Sequence, residues 1–265
     1  MAGAATVDKA LDVLFHLHAS PKALGLSEIG RALALPKSSC HRLLSTLVER
    51  EVVERDAAGH YRPGLALLAL GLGAQDGEPV VAAARPILET EVRALGETVF
   101  LVGLRRGRLR VLEKVEGPGF LRAAPDLGDL IPGDVTAAGR IHRVYGDAAE
   151  VAELESVLGG PLAPEERDAI LRAGHATNRD GWIDGLSVVA VPIWQPEAGD
   201  GRRLVAALAL AAASPRFDTL GEEAIARRLL AAAETIGGRL GAASPRRRPR
   251  GRVASSGRAA GEDDE

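Results

Sequence analysis

Apolar residues recur at positions 7, 10, 11, 14 and 17, the spacing of an amphipathic helix, and Thr6 stands where its cap belongs. A second, shorter helix carries Ile29, Ala32 and Leu33 on one face, with Ser27 placed to cap it. Only Ala34 and Leu35 separate it from Pro36, which suits the first turn of a further helix. Helices joined so tightly must cross steeply, as in a helix-turn-helix. In the third, Cys40, Leu43, Leu44, Leu47 and Val48 fall on one side, which leaves Lys37, Ser38, His41, Arg42 and Ser45 facing outward. The pattern then shortens: Val52 to Arg55 and His60 to Arg62 read as two strands about a turn with Asp56 at its start and Gly59 at its end, a hairpin wing.

Gly64 to Ala74, GLALLALGLGA, is uncharged and nearly apolar all round. As a helix it cannot lie exposed, so another helix or a second copy of the chain is expected to cover it, which makes it a linker that also dimerises. Helix and strand signals follow: a helix from Val81 to Leu95, strands Thr98 to Leu104 and Arg108 to Val115, later strands Val188 to Ile193 and Leu204 to Ala212, and a closing helix Leu220 to Leu240. Hairpins flanked by helices predict an α+β domain with an antiparallel sheet. Past Ala242 almost nothing is apolar, and disorder is expected. The expected organisation is a winged helix-turn-helix over 1–63, a linker and dimerisation helix over 64–79, a second domain over 80–241 and a tail over 242–265.

A length of 265 residues accommodates both domains. The formal net charge of −3 means that nucleic-acid binding must rest on a local patch and not on bulk charge. The single cysteine, Cys40, excludes an intramolecular disulfide and a multi-cysteine zinc site, and on the leucine face of its helix it reads as a buried structural thiol. No basic-then-apolar leader opens the text, so a reducing cytoplasm is expected. The longest apolar run, 204 to 213, is about half of the roughly 20 residues that a membrane span needs, so no membrane partner is expected. His16, His18, His142 and His175 lack partners at metal-ligand spacing, and no phosphate loop or nucleophile elbow occurs. Neither a metal, nor a cofactor, nor catalysis is expected. Trp182 and Trp194 read as core or interface, and Arg246, Arg247, Arg248, Arg250 and Arg252 as a solvated basic tail.

An α-helix fits the DNA major groove, where side chains of its first turns reach base edges and hydroxyls and ammonium groups hold phosphates. The candidate DNA contacts are therefore Lys37, Ser38, Ser39, His41, Arg42 and Ser45 on the third helix, Ser27 at the start of the second, and Arg55, His60 and Arg62 on the wing. The alternative is a metabolite-binding protein or enzyme whose N-terminal helices mediate protein interaction. That reading calls for an exposed apolar stripe over 37–45, and the outward face there is polar.

The stretches VDKALDVL, LSEIGRALALPKSSCHRLLSTLVER and GHYRPGLALLALG resemble the N-terminal half of the IclR-type transcriptional regulators, whose pattern is close to LSEIARRLGLPKSTAHRLLATL and GRYRLG. LRAAPDLGDLIPGDVTAAGR at 121–140 is similar to that family's LRASxxxGxxxPLHATAxGK, and GHATNRDGWIDGLSVVAVPI at 174–193 to its GYAxDxEExxxGVxCVAAPV. The resemblance covers about residues 6 to 240. It implies a GAF-like second domain that binds a small-molecule effector, an organic acid or aromatic catabolite. It further implies a homodimer or tetramer on a palindromic double-stranded DNA operator, repressing or activating a catabolic or metabolic operon. By position it carries the effector site onto Gly128, Thr136, Ala137, Gly139, Asp180, Ser187 and Val188. The text departs from the family at Asp134 (usually His), Arg140 (Lys), Asn178 (acidic) and Val188 (Cys).

Overall fold

A computed structural model describes residues 5–118, 125–197, 199 and 201–242. It separates into two compact units, one up to Ala82 and one from Ala83.

The first unit is a three-helix head with a small sheet. Helices α1 (Ala5–Ala19), α2 (Leu26–Ala32) and α3 (Lys37–Glu49) are followed by the hairpin β2 (Val53–Arg55) and β3 (His60–Pro63), and a two-residue strand β1 (Leu24–Gly25) adds to β3. Val13, Leu17, Ile29, Cys40, Leu44, Val53 and Tyr61 form its core. Neither expected cap stands at a helix start. Thr6 lies inside α1, and α2 begins one residue before Ser27, where the Gly25 N–H donates to Glu28 Oε2 at 2.7 Å. The inward face of α1 is also rotated from the expected one. Val13 and Leu17 are buried, while Val7, Leu11 and Phe15 are exposed, because α1 meets β3 and α3 with the other side of its apolar set. The predicted uncharged helix is α4 (Leu65–Asp76), and in the single chain its Leu65, Leu68, Leu70 and Leu72 are all exposed.

Helix α5 (Pro79–Leu95) leads into the second unit. Strands β4 (Thr98–Arg105), β5 (Arg108–Val115), β6 (Leu130–Ile131), β7 (Ala176–Arg179), β8 (Leu186–Pro196) and β9 (Arg202–Ala213) form one antiparallel sheet in the order β6-β5-β4-β9-β8-β7. The β4–β5 turn has φ of 51° at Arg106 and 65° at Gly107, the paired left-handed geometry that matches strand twist in a tight hairpin. Both faces of the sheet are buried, with period two. Phe100, Val102, Val188, Ala190, Ala207 and Ala209 pack under α6 (Ala137–Tyr145), α7 (Ala148–Leu158) and α8 (Pro164–Ala173). The alternate residues Leu101, Val189, Val191, Leu208 and Leu210 are equally buried, and α10 (Glu222–Ala242) lies over β8 and β9. Arg85 pairs with the buried Glu113 at 3.0 Å and Arg228 with Glu91, which ties α5 to β5 and to α10.

The closing helix starts later than expected. Gly221, at φ 80°, separates α10 from a short α9 (Ser214–Leu220). Helices α6 to α9 and strands β1, β6 and β7 are not among the elements that the sequence pattern predicts. The tail expected to be disordered, the Arg246 to Arg252 cluster, and residues 121–124 of the first family-like motif lie outside the described residues.

Candidate nucleic-acid interface and ligand cavity

Helix α3 places its residues as the leucine period requires. Cys40 and Leu44 have no exposed surface, whereas Lys37, Ser38, His41, Arg42 and Ser45 are exposed and Ser39 is half-buried. Burial pushes the Cys40 thiol pKa up, the direction of an inert structural cysteine. Neither Lys37 nor Arg42 forms an ion pair among the described residues, so both charges are available to a partner. Lys37 and Ser38 also stand in the first turn, where the helix dipole favours an anion such as a phosphate. Ser45 Oγ and His41 Nδ1 are 3.5 Å apart. Ser27 is exposed near the start of α2.

The wing is held by its turn. Asp56 Oδ1 accepts from the His60 N–H at 2.8 Å, a contact that keeps this carboxylate's pKa below the ordinary range. The wing arginines are less free than the sequence suggests. Arg62 donates twice to Glu54 Oε2, at 3.0 and 2.7 Å, and the Arg55 guanidinium lies 5.5 Å from the centre of the Tyr61 ring.

In the second unit, the start of α6 and one end of the sheet line a small cavity. Phe100 of β4, Ile131 of β6, Asn178 of β7, Leu186 and Val188 of β8 and Ala211 of β9 line it, with Pro125, Thr136, Ala137, Ala138 and Trp182. Its walls are almost wholly apolar, and no ionisable side chain is among the described residues that line it. Thr136 caps α6. Its hydroxyl donates to the Pro132 carbonyl at 2.6 Å and accepts from the Gly139 N–H at 3.1 Å. Asn178 Oδ1 accepts from the Gly181 N–H at 3.0 Å.

Of the seven positions carried over by resemblance, Thr136, Ala137 and Val188 line this cavity, and the other four have different surroundings. Gly139 permits close packing, since a Cβ there would sit 2.4 Å from the Gly133 carbonyl oxygen. Gly128 lies in a turn and accepts from Arg110 at 2.7 Å. Asp180 Oδ1 accepts from the Gly185 N–H and the Ser214 hydroxyl, and the fully buried Ser187 Oγ lies 2.9 Å from Ser214 Oγ. Arg140 is structural, donating to the Thr177 carbonyl and pairing with Glu166 at 2.8 Å. Trp182, read from sequence as core or interface, lines the cavity and is 37% exposed, while Trp194 packs edge-on against Tyr145. Trp182 was missed because only the β7–β8 turn brings it to the α6 terminus. Among the described residues no group of His, Cys, Asp and Glu has the arrangement to hold a metal, and no helix is long and apolar enough to cross a membrane.

Residues 6–57 match the IclR helix-turn-helix domain and residues 73–237 the C-terminal domain of bacterial IclR transcriptional regulators. The HTH-type transcriptional regulator XynR of Escherichia coli is 28% identical over 229 residues, 80% of this chain and 88% of XynR. The crystal structure of Thermotoga maritima IclR superposes with a TM-score of 0.73 at 23% identity, covering 90% of this chain and all of that one. An IclR homologue from Microbacterium hydrocarbonoxydans, solved with 4-hydroxybenzoate, gives 0.70 at 23% identity over 89% of this chain and 99% of its own. These matches set aside the alternative of an enzyme with an accessory N-terminus, and since the matched segments take in both the reading head and the cavity, the chain belongs to the IclR family of DNA-binding transcriptional regulators.

Proposed function

We propose that this cytoplasmic regulator reads a partly palindromic operator of a catabolic or metabolic operon as a dimer, or as a dimer of dimers, with α3 in the major groove. A small organic molecule in the cavity beside α6 sets its affinity. The proposed boundaries are a reading head over 1–63, a linker helix over 64–79 and a sensing domain over 80–241. The observation that carries the reading is the outer face of α3, where Lys37, Ser38, His41, Arg42 and Ser45 are solvent-exposed over a buried Cys40 and Leu44. The 4-hydroxybenzoate complex of the Microbacterium protein supports a ring-sized occupant. A ligand shifts operator affinity only by its differential affinity for the two DNA-binding states, so a tenfold effect needs about 1.4 kcal/mol of coupling.

The test is operator binding at controlled salt, on sites selected from genomic DNA. Arg42→Ala should lose about 1–3 kcal/mol at sites where it reads a guanine, whereas Lys37→Ala should weaken all sequences alike and flatten the salt dependence. Unchanged affinity in both variants would remove α3 as the reading element.

A further inference from the structure

Accepting that the wing lies against DNA, we propose that Glu54 is a positioning residue for Arg62: it holds the guanidinium in one place on the wing, and so sets how strongly the protein prefers an operator to DNA of any other sequence.

The strand register brings the pair together. Glu54 of β2 stands directly opposite Arg62 of β3, and with period two both lie on the face turned away from the buried Tyr61. Arg62 donates from Nε and from Nη2 to the same oxygen, Glu54 Oε2. Among the described residues Glu54 accepts from Arg62 alone; the turn is closed by Asp56, which accepts from the His60 N–H. Glu54 therefore has a use only through its arginine. The wing from Val53 to Pro63 sets Arg55 and Arg62 against Glu54 and Asp56, so with His60 neutral it carries no net charge. Its attraction to an arbitrary run of phosphates is correspondingly weak.

Two charge-assisted hydrogen bonds fix a side chain that otherwise samples many rotamers. On an operator α3 sets the register, so the group that Arg62 faces is always the same one. A guanidinium already held in position meets it with its remaining N–H groups and loses little further freedom. On other DNA no register is set. Arg62 would then have to swing toward whichever phosphate is nearest, which breaks both bonds and leaves the Glu54 carboxylate unpaired beside a polyanion. The pair thus penalises unregistered contacts more than registered ones, and specificity is that difference of affinities.

The experiment uses the full chain, an operator selected from genomic DNA and a scrambled duplex of the same length, with dissociation constants measured over a series of KCl concentrations. Glu54→Gln frees Arg62 and should tighten binding to the scrambled duplex about three- to tenfold, with a log–log salt slope steeper by about 0.9 for each wing engaged, while operator binding changes by less than about threefold. Arg62→Lys keeps the net charge but replaces the fork by a point charge, and should narrow the preference for operator in the same direction. In Arg62→Ala protein, Glu54→Gln should leave the ratio of the two affinities where it was. An equal gain on both duplexes overturns the proposal, since loss of like-charge repulsion alone would give it. A shift of the ratio that persists without Arg62 overturns it too, as does no change on either duplex. Should Glu54→Gln not fold, Arg62→Lys decides, and an undiminished preference there is the overturning result. Failure of the underlying reading looks different: if Arg62→Ala changes neither affinity, the wing is not on DNA and the inference falls with it, whereas if Arg62→Ala weakens binding and Glu54→Gln does nothing, the wing stands and only the role of Glu54 is lost.

Discussion

His142 is wholly enclosed on α6, with Nε2 3.0 Å from the Val102 carbonyl oxygen. Burial lowers its pKa from 6.5 to about 4, the carbonyl contact opposes that shift, and the positive charge of Arg105 adds to it. The folded state therefore holds a neutral imidazole where the unfolded chain binds a proton below about pH 6.5. Stability from this residue is complete above that pH and is lost as the pH falls toward 4. Both tryptophans lie in the second unit, so urea unfolding followed by their fluorescence isolates it. Between pH 7 and pH 5 the wild type should lose about 2 kcal/mol more than His142→Gln, which keeps a donor and cannot titrate. Parallel losses in the two proteins would show that His142 does not set the acid limit. Little of this was legible beforehand: the sequence places His142 without a metal partner, but only the packing of α6 on β4 shows that it is enclosed.

At the scale of elements, α4 is the segment whose chain context and composition disagree. A helix with no ionisable residue before its last position that leaves Leu65, Leu68, Leu70 and Leu72 in water loses the stabilisation that burial of each leucine would give, about 1.5–3 kcal/mol. In the proposed dimer a second copy covers this face. Leu68→Glu or Leu72→Glu would bury an unpaired charge there and should weaken association by about 2 kcal/mol or more per copy, read as a shift toward monomer in sedimentation. An unshifted boundary in both variants would place the dimer contact elsewhere. Elements were legible where burial runs along their length, on one face of α3 and β5 and on both faces of β4, β8 and β9, whose apolar runs mark the text. Among the residues buried in α7 and α8 are Leu154 and Ile170, one on each, and one anchor makes no stripe. Strand β7, ATNR, has no strand-like composition and exists because β8 offers it an edge.

Across the whole molecule, the cavity draws on residues from Phe100 to Ala211, which meet only because β4 pairs with β9 and β9 with β8. Motif resemblance reached Thr136, Ala137 and Val188, and it could not reach Phe100 or Ala211, which belong to no shared stretch of text. That same sheet order has a kinetic consequence. In the first unit the most distant strand pairing joins Leu24 to Tyr61, so its contacts close over short loops. In the second, Thr98 must wait for Ala211, more than a hundred positions later, and the entropy of closing that loop is spent before any of its contacts form. The reading head should therefore fold first, both in refolding and during synthesis, and a nascent chain carries a finished DNA-binding surface before it has a cavity with which to sense anything. Pulsed hydrogen exchange during refolding should protect amides of α2 and α3 before those of β4 and β9; simultaneous protection would mean that the two units fold as one. Until Ala211 is in place, a newly made copy would lack the cavity through which the proposed effector acts.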